Sequence, residues 1–170
     1  MSLRHTLNLA HKALSHAEID HALIGGLALA TLGINRATGD VDLLIDGQQK
    51  DLAKKVLQDS GFILKHDSSE VLHFEGPGFL DVLLANRPLS LKMLESSKII
   101  PSIHMKCLAA EDIIGLKIQA YINNPKREYQ DKADIRSLME KDPNLDWEKI
   151  KVYADIFDQW TEIQKIKARS

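Results

Sequence analysis

The residues best suited to chemistry lie in Asp40-Val41-Asp42-Leu43-Leu44-Ile45, where two carboxylates stand one residue apart inside an apolar run. Strand side chains alternate with period two, so Asp40 and Asp42 are expected on one face, side by side. Like charges held together repel, and each costs desolvation, so the pair calls for a compensating cation, usually Mg²⁺. A third acid, Asp81, sits in the strand-like run Phe79-Leu80-Asp81-Val82-Leu83-Leu84 and completes a set of three carboxylates. Glu75 is the other acid nearby, but it falls in a turn and makes a poor rigid ligand.

The second constellation is Gly25-Gly26, after a strand ending at Leu23-Ile24 and before the short helical run 27–32. A turn without Cβ atoms lets a phosphate approach the backbone, and the helix start offers unpaired N–H groups. Arg36 and Thr38, in the loop before the acidic strand, extend this cradle. In the later part of the chain Lys117 lies on a largely apolar helical face, where a buried cation needs an anion. Asp131 and Asp134 are one helical turn apart and suit a solvated face or ion pairs as well as chemistry.

These groups need a scaffold. Leu3, Leu7, Ala10, Leu14 and Ala17 recur at helical spacing and predict an amphipathic first helix. A helix from Gly47 turns Leu52, Val56 and Leu57 inward and stops at Gly61. Residues 62–64 continue as a strand, and the runs 70–74 and 79–84, separated by Glu75-Gly76-Pro77-Gly78, predict a hairpin. Residues 89–106 leave open a short helix and one more strand. From Ala109 the period becomes helical, with helices around 113–120, 133–139 and 150–160. The expected fold is α/β, a mixed sheet flanked by helices: an α/β core over 1–108 and a helical C-terminal part over 109–170, closing over a nucleotide as one structural unit.

Composition removes several alternatives. A chain of 170 residues with 44% hydrophobic and 27% charged residues suits one globular domain, and a net charge of −2 gives no global attraction to nucleic acid. The single cysteine, Cys107, excludes an intrachain disulfide and a multi-cysteine zinc site. No run approaches the about 20 apolar residues of a membrane span, and the first residues lack a signal-peptide core, so a cytoplasmic location without membrane contact is expected. His5, His11, His16 and His21 miss the i, i+4 spacing of zinc helices, and His66, His73 and His104 lack cysteine partners, so all seven are expected in structural or surface roles. Trp147 and Trp160 suit core packing rather than base stacking. No P-loop, nucleophile elbow or dinucleotide fingerprint is present.

Gly25-Gly26, Asp40-x-Asp42 and the lone Asp81 together resemble the nucleotidyltransferase superfamily that includes polymerase beta. Within it the likeness is nearest to the AbiEii-like toxin nucleotidyltransferases and the minimal lincosamide nucleotidyltransferases. The stretches Glu111–Ala120 and Gln130–Ile135 resemble a later helical motif of the AbiEii-like group, which usually has a base where this chain has Gln130. Many members of the superfamily also carry Gly-Ser in place of Gly25-Gly26. The resemblance spans roughly residues 20–140. It implies a nucleotidyltransferase fold and transfer of a nucleoside monophosphate from an NTP to an acceptor hydroxyl, with release of pyrophosphate. Asp40, Asp42 and Asp81 would be catalytic and hold two Mg²⁺ ions, or Mn²⁺. Gly25, Gly26, Arg36, Thr38, Lys117 and Asp131 would bind the nucleotide. The acceptor would be tRNA, protein or a small molecule, and a toxin would have a cognate antitoxin as partner. A regulatory module that keeps the fold and binds a nucleotide or a protein without turnover stands as the alternative.

Overall fold

A computed structural model describes residues 2–170. The elements run α1 Leu3–His16, β1 His21–Ile24, α2 Gly25–Thr31, β2 Asp40–Asp46, α3 Lys50–Asp59, β3 Ile63–Asp67, β4 Val71–Glu75, β5 Phe79–Ala85, α4 Pro88–Ser96, β6 Lys98–Ile100, β7 Met105–Cys107, α5 Ala110–Asn123, α6 Glu128–Lys141, α7 Trp147–Ile156 and α8 Trp160–Ala168. Two compact units result. One comprises residues 2–28 and 36–108; the other joins Leu29–Asn35 to the helices of Ala109–Ser170.

The first unit is built on a seven-stranded sheet of order β3-β4-β5-β2-β1-β7-β6. β2 lies parallel to β5 and antiparallel to β1, while β4 is antiparallel to both β3 and β5. Alternation sorts the central strands cleanly. Val41, Leu43 and Ile45 pair with Leu80, Val82 and Leu84, and Leu72 and Phe74 continue the same buried layer. Burying such branched and aromatic side chains contributes about 1.5–3 kcal/mol each and fixes the register, since a one-residue slip would turn the whole layer outward. The opposite face carries Asp40, Asp42 and Asp81 near the first residues of β2 and β5. The helix α1 forms because Ser2 accepts from the His5 amide at its N-terminus while Leu7, Ala10 and Leu14 line one buried stripe.

Three sequence expectations shift here. In α3 the buried residues are Ala53 and Leu57, whereas Leu52, about 100° round the helix from Ala53, is 44% exposed. Residues 89–106 resolve into α4, opened by Pro88 in its first turn, and the short antiparallel pair β6 and β7. The run expected as one final helix breaks into α7 and α8, where Asp158 adopts φ 54° and the Gln159 amide bonds back to the Ala154 carbonyl. Trp147 and Trp160 are only half-buried, and each lies under a lysine: Lys167 Nζ stands 3.8 Å and Lys151 Nζ 5.7 Å from the ring centres. No helix among the described residues is long and apolar enough to cross a membrane.

In the helical unit α5 packs on α6 and α7. Gly115 permits the second contact, since a Cβ there would come within 2.7 Å of the Tyr153 ring. The Tyr153 hydroxyl donates to the buried Asp112 carboxylate at 2.5 Å, and Lys149 Nζ stands 2.8 Å from the same group. Burial and this carboxylate raise the Tyr153 pKa well above the ordinary phenolic value.

On the sheet unit, His11 and His21 face each other with Nδ1 and Nε2 2.8 Å apart, and His21 Nδ1 donates to the Ile19 carbonyl at 2.7 Å. Burial lowers the pKa of both imidazoles, and for His21 the Ile19 carbonyl and Asp20 oppose it while His11 and Lys106 add to it. The folded pKa values thus lie below the usual 6.5, so the unfolded chain takes up protons first as pH falls. Stability contributed by the neutral pair is present above pH 6.5 and is lost as pH drops through the folded values. Thermal melts between pH 7.5 and about 5 should show a falling Tm whose slope lessens in a His11→Gln, His21→Gln double variant. An unchanged slope would remove the pair from the acid response.

Candidate functional site

The parallel pairing of β2 with β5 places Asp42 directly beside Asp81, with Asp40 beside Phe79. Asp42 is in turn paired with Ile24 of β1, the residue before Gly25. One row across the sheet therefore reads Ile24, Asp42, Asp81, and the glycine turn rises next to it. Gly25 has φ +67°, a left-handed conformation that disfavours any Cβ, and a Cβ here would overlap the Asp42 carboxylate. A Cβ on Gly26 would come within 2.6 Å of Thr38 Cβ and 3.1 Å of Arg36 Nη1. The loop residues expected to join the cradle thus close over Gly26, and Thr38 Oγ1 donates to the Asp40 carbonyl at 3.3 Å.

Asp42 and Asp81 are half-buried and Asp40 is exposed at the strand start. Side-by-side carboxylates are hard oxygen donors, and this set suits Mg²⁺, which commonly takes one or two carboxylates and completes its shell with phosphate oxygens and water. Among the described residues no three His, Cys, Asp or Glu side chains form a ready-made metal cage, which an ion completed by substrate phosphates does not need.

His73, expected in a structural or surface role, is paired by β4 with Asp81, and its Nδ1 stands 2.5 Å from Asp81 Oδ1. The signal was present in the hairpin: counting outward from Glu75-Gly76-Pro77-Gly78 sets residue 73 opposite 81. His66 extends the row on β3, its ring centre 5.3 Å from that of His73.

In the helical unit Lys117 and Asp131 are brought together. Lys117 Nζ lies 3.2 Å from Asp131 Oδ1 and 2.7 Å from Asp134 Oδ2, all three side chains buried. Arg127 Nε adds a bond of 3.1 Å to Asp131, and Gln130 donates to Asp134 at 2.9 Å. The anion that the buried lysine meets is therefore a pair of aspartates.

In three dimensions the chain is similar to antibiotic-modifying enzymes. The solution structure of the antibiotic-resistance factor ANT(2'')-Ia superposes with a TM-score of 0.70 at 17% identity, over 98% of this chain and 97% of that one. A crystal structure of ANT(2'')-Ia in complex with adenylyl-2''-tobramycin gives a TM-score of 0.68 at 16% identity, covering 94% and 98%. The fold is that of the nucleotidyltransferases. The lincomycin-bound lincosamide antibiotic adenylyltransferase LnuA also shares it, with a TM-score of 0.58 at 17% identity over 80% of this chain and 96% of that one. No protein-family model and no curated protein sequence matches the chain. The nucleotidyltransferase fold thus rests on tertiary structure, in agreement with the expected mixed sheet and helical C-terminal part.

The ion cluster gives a stability test. Lys117→Met would remove the ammonium that the buried Asp131 and Asp134 share, and breaking a buried pair costs about 3–5 kcal/mol. Urea denaturation of this nucleotidyltransferase-fold chain should show a loss at the low end of that range, partly restored by adding Asp134→Asn. Unaltered stability in Lys117→Met would mean that the cluster is not a buried ion pair in solution.

Proposed function

We propose that the protein transfers a nucleoside monophosphate from an NTP to the hydroxyl of a small molecule. The supporting observation is the register that sets Asp42 beside Asp81 at the edge of the Gly25-Gly26 turn. In the reaction the acceptor oxygen bonds to the α-phosphorus, the bond from that phosphorus to the bridging oxygen breaks, and pyrophosphate leaves with the electron pair. The acceptor's proton passes to Asp81. Backbone N–H groups of Gly25 and Gly26 hold the outer phosphates, and Arg36 and Thr38 close the turn over them. Two Mg²⁺ ions, or Mn²⁺ in their place, held by Asp40, Asp42 and Asp81, would supply charge neutralisation at the triphosphate.

Lys117 and Asp131 belong to the same proposal in a lesser role. The Lys117 ammonium is already engaged by two aspartates, so the main nucleotide contacts are assigned to Gly25, Gly26 and Arg36. The small-molecule acceptor is favoured because the chain matches nearly the whole length of ANT(2'')-Ia and LnuA, whose structures hold an adenylylated tobramycin and lincomycin. A toxin acting on tRNA, opposed by an antitoxin, is the second reading. Its support is that the two AbiEii-like stretches fall on α5 and α6 and are tied by the Lys117–Asp131 pair.

The test is transfer of label from NTPs in the presence of Mg²⁺ to aminoglycosides, lincosamides, total RNA and protein, offered separately. Label in the small-molecule arms supports the first reading, label in tRNA the second, and nucleotide binding without any transfer the non-catalytic module. Asp42→Asn and Asp81→Asn should each lower turnover by at least about 100-fold. Asp40→Asn should abolish transfer while leaving the Tm without Mg²⁺ unchanged or higher, since one of two repelling charges is gone. Full activity of Asp42→Asn at saturating Mg²⁺ would sink the carboxylate assignment.

A further inference from the structure

We infer that His73 is a positioning residue for Asp81, holding its carboxylate in the rotamer that receives the acceptor's proton; this rests on the transfer reading above. The antiparallel register of β4 and β5 places the two side chains opposite each other on the polar face of the sheet. Nδ1 of His73 lies 2.5 Å from Oδ1 of Asp81. An ionised carboxylate only accepts, so the ring nitrogen facing it carries the proton and donates. That bond occupies Oδ1 and restrains rotation of the group, which leaves Oδ2 as the oxygen to receive the proton.

The ring itself is supported. His66 on β3 packs against it with ring centres 5.3 Å apart and planes at 38°, limiting the rotamers open to His73. Exposure argues that this arrangement does more than stabilise the sheet. The side chains of His73 and Asp81 are 43% and 29% exposed, and a polar pair so open to water adds little to folding. Both groups would be hydrated without each other. The bond's consequence is geometric: a proton acceptor fixed by a second side chain, the arrangement in which a third group orients a catalytic base.

The experiment compares the parent with His73→Asn, whose amide nitrogen reaches near the place of Nδ1, and His73→Leu, which has no donor. With the small-molecule acceptor that the parent labels, His73→Leu should lose at least 10-fold in kcat, with the KM for NTP and the Tm nearly unchanged. His73→Asn should recover most of that loss. Independently of activity, ¹⁵N-resolved NMR of the metal-free protein should find His73 protonated at Nδ1, with this signal altered in Asp81→Asn. A parent that transfers while His73→Leu keeps its kcat overturns this inference alone, as does an Asn variant no better than Leu or an Nδ1 without its proton. A parent that transfers nothing overturns the transfer reading and this inference with it.

Discussion

The register between β2 and β5 is the constraint on which the site depends. Seven consecutive residues of one strand lie beside seven of the other, from Asp40 with Phe79 to Asp46 with Ala85. The apolar layer of Val41, Leu43, Ile45, Leu80, Val82 and Leu84 enforces that alignment, since none of these side chains is more than 5% exposed. Sliding one strand by a residue would turn this layer out and the acids in, at a cost no polar face could offset. The energy that aligns Asp42 with Asp81 is thus hydrophobic and comes from the other side of the sheet. Repulsion between the carboxylates is tolerated because packing holds them.

The glycine turn follows from the same pairing. Because β1 is antiparallel to β2 with Ile24 beside Asp42, the chain leaves the sheet at the level of the acids and starts α2 there. Only a residue without a side chain fits between that exit and the Asp42 carboxylate. The helical unit resolves its buried charge differently. Lys117 with Asp131 and Asp134, and Asp112 with Tyr153 and Lys149, are each neutralised within a few ångströms by neighbours on adjoining helices. Such pairs contribute little net stability yet penalise any arrangement that separates them, so they specify how α5, α6 and α7 pack.

Much of this was legible from period and spacing. Asp40 and Asp42 were readable as partners because period two is a local property, and Asp81 because a turn sequence marked its hairpin. The pairing of strands distant in sequence was not readable, so nothing local said that Asp81 stands beside Asp42 rather than elsewhere in the sheet. The pairing of His73 with Asp81 is legible only by counting across the hairpin, because metal-ligand spacings along the chain carry no cross-strand information. Leu52 reads as inward from its spacing to Val56, but the buried stripe of α3 runs one position on, through Ala53 and Leu57. For Lys117 the apolar face showed the need for an anion, and the resemblance named a nucleotide phosphate where the fold supplies two aspartates. Its partners lie 14 and 17 positions away, on a helix whose own pattern read equally well as a solvated face.

The fate of the α-phosphate tests the central claim most directly. ATP labelled at the α-phosphorus and ATP labelled at the γ-phosphorus are given separately to the protein with Mg²⁺ and an acceptor. α-Label should appear on the acceptor, and γ-label should leave as pyrophosphate. Transfer of γ-label to the acceptor, or release of inorganic phosphate alone, would contradict nucleotidyl transfer.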